Sequence, residues 1–155
     1  GKFYLGYDKD NFYFAAEITD NEFCQKESGS KIWNGDSIQM AIAPRLKNEM
    51  PDWYEYGLAL TSKGPEAWCW MSPENEKVEK PLDCKLAARN ENGRITYECA
   101  IPWTELKEIP RDAKYFLFSV MHNDNDANVR RGWIEWGAGI GADKNPSLFK
   151  TVMFQ

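Results

Sequence analysis

Residues 84–101 read CKLAARNENGRITYECAI, and this stretch decides the fold. Asn92-Gly93 is the strongest hairpin signal in the chain, because both residues tolerate the positive φ that a two-residue turn demands. With a two-residue loop there, Glu91 opposes Arg94, Leu86 opposes Cys99 and Cys84 opposes Ile101. Side chains alternate along a strand. Cys84, Leu86, Ala88, Tyr97, Cys99 and Ile101 therefore share one face, and Lys85, Arg89, Thr96 and Glu98 share the other. An apolar face backed by a charged one makes an antiparallel hairpin with a core side and a water side. Cys84 and Cys99 fall diagonally on the core side, where a bond between them is allowed without being demanded.

The same period of two runs outward in both directions. Phe12, Phe14, Ala16 and Ile18 alternate with Tyr13, Ala15, Glu17 and Thr19. Ile38, Met40 and Ile42 alternate with Ser37, Gln39 and Ala41, and Tyr54, Tyr56, Leu58 and Leu60 with Glu55, Gly57, Ala59 and Thr61. Further runs cover 3–7, 67–71, 115–122, 133–136 and 150–154, about ten short strands in all. Helix is confined to one short turn opening at Pro102. An all-β domain follows, a β-sandwich of two antiparallel sheets or a barrel. The chain is read as a single module, residues 1–155, excised from a larger protein, since Gly1 already lies in a strand pattern.

Composition narrows the function. Apolar residues make up 43% of the 155 and charged residues 28%, the balance of a folded domain. The formal charge of −5 gives no clustered cations to displace counterions, so neither nucleic acid nor an anionic membrane is an expected partner. No apolar run approaches a membrane span. The single histidine, His122, excludes a site built from several imidazoles. Cys24, Cys69, Cys84 and Cys99 form no C-x-x-C pair, and mostly free thiols are expected. No Ser- or Cys-centred nucleophile motif stands out, and no enzymatic activity is expected of this domain. Aromatics reach 14%, with seven Trp, which is rich for a domain of this size and is the first hint of function.

Several segments together resemble the family 9 carbohydrate-binding modules, part of a wider DOMON-like group of sugar- and haem-binding sandwiches. They are 7–8 with 11–20 (YD, NFYFAAEITD), 32–39 (IWNGDSIQ), 97–103 (YECAIPW), 123–126 (NDND), 130–137 (RRGWIEWG) and 145–149 (NPSLF). The resemblance spans almost the whole chain. It implies a β-sandwich without catalytic activity, attached to a secreted or cell-surface bacterial glycoside hydrolase such as a xylanase, or to a related surface protein. It implies a ring of the sugar clamped between Trp side chains, with polar groups reading hydroxyls, and in some members calcium. The expected partner is an oligo- or polysaccharide of plant or other origin. A monomer linked covalently to further domains is expected.

Carried over residue by residue, Trp33 matches the first clamp Trp. Gln39 stands where the family has an acid, and Met121 where it has a Gln. Asp143 stands where the second clamp Trp is expected. Trp33 follows a polar loop, Ser28-Gly29-Ser30-Lys31, which suits an exposed platform. Glu55 would share a face with Gln39 if their strands are neighbours. Trp133 and Trp136 lie three apart, and Trp136 is expected to reach the rim of the site. Trp68 and Trp70 share one sheet face and read as core. Asp124 and Asp126 alternate like ligands of a calcium loop. Two other readings stay open. One is a haem-binding electron-transfer module, with His122 and Met40, Met71 or Met121 as axial ligands. The other is a degenerate sandwich serving as a spacer or protein-docking domain.

Overall fold

A computed structural model describes residues 1–47, 49–73, 77–127 and 129–154. Among them, eleven strands follow one another: β1 (Lys2–Tyr7), β2 (Asn11–Thr19), β3 (Ser37–Pro44), β4 (Tyr54–Thr61), β5 (Gly64–Met71), β6 (Lys80–Pro81), β7 (Lys85–Glu91), β8 (Arg94–Pro102), β9 (Tyr115–Asp126), β10 (Val129–Trp136) and β11 (Lys150–Met153). They form two antiparallel sheets. The smaller has the order β1-β2-β8-β7. The larger has the order β10-β9-β3-β4-β5-β6, with β11 also paired to β9. This is the β-sandwich that the alternation implies.

The β7–β8 hairpin keeps the register read from its turn, with Glu91 opposite Arg94 and Leu86 opposite Cys99. Asn92 and Gly93 have φ of 54° and 76°. A Cβ on Gly93 would stand 2.7 Å from the Asp20 carbonyl oxygen, so the turn is closed to larger residues on steric as well as conformational grounds. The two-residue β6 is too short to carry a period and goes unread in the sequence. β9 runs on through 123–126, where the Asn/Asp content suggests a turn, because its neighbours β3 and β10 supply partners that far. The turn expected at Pro102 forms as a single 3-10 turn, Trp103–Glu105.

The inward residues of both sheets make the main core. Phe12 and Phe14 of β2 meet Phe116 and Phe118 of β9, with ring centres 5.8 Å apart for Phe12–Phe116 and 6.4 Å for Phe14–Phe118. Such edge and tilted contacts add to area burial. β3, like β4, is buried on both faces, β3 as far as Ala43. Its outward residues are covered by two irregular segments. One is the 3-10 turn Gly29–Asn34. The other is the stretch after β10, whose Ile140 and Phe149 pack on Ala41, Ala43 and Met121 as a second, small core. The opening left between these covers is the feature that matters for function. No helix among the described residues is long and apolar enough to cross a membrane.

Candidate functional site

The opening is a cleft of about 600 Å³ on the outer face of the larger sheet. Its floor comes from three neighbouring strands. Gln39 of β3 pairs with Met121 of β9. Glu55 of β4 lies two register positions along on the other side, opposite Ala41. Alternation turns all three side chains to the same face. Trp33, Gln39, Glu55 and Met121 therefore line one cleft, together with Trp70, Arg130 and Lys144. Four residues from scattered parts of the sequence reading meet here.

Trp33 stands at the wall because of the residue before it. Ile32 is fully buried and plugs the 3-10 turn into the sheet, which leaves Trp33 43% exposed. The turn is tied down from several sides. The Gln25 side-chain amide donates to the Ile32 carbonyl at 2.9 Å and to the Asp36 carbonyl at 3.0 Å. The Gly29 amide donates to Glu66 at 2.8 Å. Asp36 is wholly buried and its carboxylate accepts from the backbone N–H of Cys24 and, at 3.0 Å, of Asn125. Burial, together with the charges of Asp20 and Asp124, pushes the Asp36 carboxyl up to about 6 against the pull of those two N–H donors. A well-anchored turn presents its indole at low entropic cost to a ligand.

The floor is a continuous polar relay. Arg130 donates to Asn123 Oδ1 at 2.7 Å, and the Asn123 amide donates to Gln39 Oε1 at 2.8 Å and to Ser37 Oγ at 3.1 Å. The Gln39 amide in turn donates to Glu55 Oε1 at 3.1 Å, which also receives Lys144 Nζ at 2.5 Å. Glu55 is 3% exposed, so its charge is held in place by Lys144 and the Gln39 amide. Two buried atoms of this relay have no hydrogen-bond partner among the described residues: Glu55 Oε2, an acceptor, and Arg130 Nε, a donor. Buried polar atoms are normally satisfied, and both of these belong to residues that line the cleft.

Arg130 and Trp133 carry little signal in the sequence, because a bulge places them. They lie three apart on β10, which on a regular strand puts them on opposite faces. The register between β10 and β9 shifts between Arg130 and Gly132. The extra residue brings both onto the outer face. The Arg130 guanidinium lies over both indoles, 4.9 Å from the Trp133 ring centre and 5.6 Å from that of Trp33. Cation–π contact holds all three together, and partial burial lowers the Arg130 pKa from its usual value. Trp133 also presses on Gly141, where a Cβ would stand 2.3 Å from the indole nitrogen.

The same alternation corrects the expectation for Trp136. From Gly132 onward β10 is regular, so Trp136 faces away from Trp133. Trp136 opposes Val120 and packs on Phe3, ring centres 5.2 Å apart, at the open edge between the sheets. It takes no part in the cleft. Asp143 is exposed, and its neighbour Lys144 is the residue that reaches in. Trp70, read as core, is half-buried on the outer face. Its indole nitrogen donates to the Ser30 carbonyl at 2.9 Å. Its outer half lines the cleft.

Asp124 and Asp126 lie at the far end of β9, on the inward face, and a third acid joins them. Carboxylate oxygens of Asp20, Asp124 and Asp126 lie within 4.8 Å of one another. Asp20 is 7% exposed, and its Oδ2 has no hydrogen-bond partner among the described residues. It follows β2 of the smaller sheet, so no local spacing connects it to β9. The haem reading gains nothing from the structure. His122 and Met121 are adjacent on β9 and face opposite ways. The His122 imidazole is lowered in pKa by burial and stands 4.0 Å from Asp36.

The model of the family described as carbohydrate family 9 binding domain-like matches residues 1–155. Two solved structures share the fold. Both are family 9 carbohydrate-binding modules from Caldicellulosiruptor kristjanssonii. The one in complex with glucose is 19% identical with a TM-score of 0.69, over 99% of this chain and 75% of that one. The one in complex with cellotriose is 20% identical with a TM-score of 0.68, over 97% and 72%. No protein of curated function matches the chain in sequence.

Proposed function

Since the chain belongs to the carbohydrate family 9 binding domain-like family, we propose that it is a non-catalytic module whose cleft holds a sugar ring against Trp33. One observation carries the reading. A half-exposed indole stands beside a floor with one unpartnered acceptor, Glu55 Oε2, and one unpartnered donor, Arg130 Nε. A pyranose offers the complement to both. Its C–H face covers an aromatic ring, and its hydroxyls donate and accept at the rim. Gln39, Asn123 and Lys144 hold the floor groups in position. Met121 gives an apolar patch between them. Trp133, through Arg130, backs the platform.

Cello-oligosaccharides are the first ligands to try, because the two structural neighbours are complexes with glucose and cellotriose. Affinity in the millimolar to micromolar range corresponds to roughly −4 to −8 kcal/mol. Such binding acts by tethering, raising the effective concentration of a linked enzyme at its polymer. A secreted or cell-surface glycoside hydrolase is the parent that this role fits. The test is calorimetric titration with glucose, cellotriose, borohydride-reduced cellotriose and soluble glucan. Saturable heat with at least one of these is expected. Loss on reduction identifies end recognition, and absence of heat with all of them overturns the reading.

The residues at Asp20, Asp124 and Asp126 fit the calcium that the family resemblance implies. Calcium takes hard oxygen ligands, and the unpartnered Asp20 Oδ2 is such a ligand already desolvated. A cation there would tie the end of β2 to β9 and so join the two sheets. Asp126, now 3.2 Å from Arg131 Nε, would exchange part of that ion pair for the metal.

A further inference from the structure

Cys84 and Cys99 lie on the opposite side of the sandwich from the acidic cluster. Cys99 is on β8 opposite Leu86 of β7, and Cys84 is the residue before β7 begins. Both side chains turn to the core side, on diagonal positions of the β7–β8 pairing. Their exposure differs. Cys99 is 3% exposed, whereas Cys84 is half-buried and lines a shallow opening with Leu86, Leu82, Pro81 and Trp68. That opening is where the chain leaves β6 at the edge of the larger sheet and enters β7 at the edge of the smaller one.

We infer that Cys84 and Cys99 form a dithiol pair that a low-molecular-weight disulfide oxidises to an intramolecular disulfide, with Cys84 attacking and Cys99 resolving. Thiolates are the attacking species, and an accessible thiol near a hydrogen-bond donor reacts first. Cys99 is the neighbouring thiol on that face. It lowers the Cys84 pKa from its usual value and raises that of Cys99. The Cys84 thiolate attacks one sulfur of the reagent, its S–S bond breaks, and one thiolate leaves. Cys99 gives its proton to solvent and attacks the Cys84 sulfur of the mixed disulfide, and the second thiolate leaves. Two protein thiols are oxidised, and one reagent disulfide is reduced to two thiols. The other two cysteines are not so arranged. Burial pushes the Cys69 thiol up to about 11, and it donates to the Met71 carbonyl. Cys24 lies beside Asp36, on the far side of the core.

The bond would close a loop from residue 84 to residue 99 and stitch the crossover between the sheets to β8. The test is incubation of the fully reduced chain with oxidised glutathione, followed by thiol titration in denaturant and mass mapping of unreduced peptides. Free thiols are expected to fall from four to two per chain, with 84 and 99 in one linked peptide, and the oxidised chain is expected to melt at a higher temperature. A Cys99→Ala variant should stop at one glutathione attached to Cys84, and a Cys84→Ala variant should keep its remaining thiols. Four thiols remaining in the wild-type chain would overturn the inference. So would a link through Cys24 or Cys69, or glutathione accumulating at Cys99 in place of Cys84.

Discussion

Removing the indole of Trp33 is the perturbation with the clearest magnitude. A Trp side chain has an area of up to roughly 250 Å². With 43% of Trp33 accessible, about 100 Å² is available to a ligand. At about 25 cal/mol per Å², covering it with a sugar ring is worth about 2.5 kcal/mol. Trp33→Ala should therefore weaken binding by about 60-fold. The assay is isothermal calorimetry with the tightest ligand of the glycan panel, run on both proteins under one buffer. Folding is checked by thermal melts, and the variant should lose less than about 1 kcal/mol, because the buried anchor of the turn is Ile32 rather than Trp33. Affinity of Trp33→Ala within about threefold of the parent would refute the assignment of this ring as the platform.

Other outcomes follow from the relay and the buried acids. Gln39→Ala deletes the link between Asn123 and Glu55 and should cost about 1–3 kcal/mol in urea unfolding, since both neighbours are buried. The Asp36 carboxyl, at about 6 in the folded chain against 3.8 for the free side chain, binds more proton folded than unfolded between those values. Its contribution therefore lowers stability as pH rises from about 4 to about 6. In metal-free buffer, the difference in unfolding free energy between the parent and Asp36→Asn should drift in that sense across the window. A difference that stays flat would contradict the assignment. Calcium at about 100 times its dissociation constant should stabilise by about 2.7 kcal/mol. That is a rise of about 5–10 °C in melting temperature, reversed by chelation and absent in Asp124→Asn.

The parts of this molecule that were legible are those written in a local period. Asn92-Gly93 set the hairpin register, and alternation along β3, β4 and β9 brought Gln39, Glu55 and Met121 to one face. Trp33 stood out because it follows the polar loop Ser28-Gly29-Ser30-Lys31 and matches the first clamp Trp of the family. What the sequence withheld came from irregularity and distance. A one-residue bulge moved Arg130 and Trp133 onto the site face. The spacing of three then sent Trp136 to the opposite face, against the expectation that it would reach the rim. Lys144 arrives from a segment with no period at all. Asp20 meets Asp124 and Asp126 only because the two sheets stack at that end. β9 continued through residues rich in Asn and Asp because β3 and β10 held it, a tertiary override of local turn preference.

The central claim is that the outer-face cleft of the larger sheet holds the sugar. It is tested most directly by titrating cellotriose into isotopically labelled protein and following the Trp indole, Gln, Asn and Arg side-chain NMR signals. Saturable shifts are predicted for Trp33 and Trp133 and for the Gln39, Asn123 and Arg130 side chains, with Trp136 and Trp103 unmoved. Shifts centred on Trp136, or on the smaller sheet around Tyr4 and Tyr13, would contradict the account. So would a spectrum that cellotriose leaves unchanged.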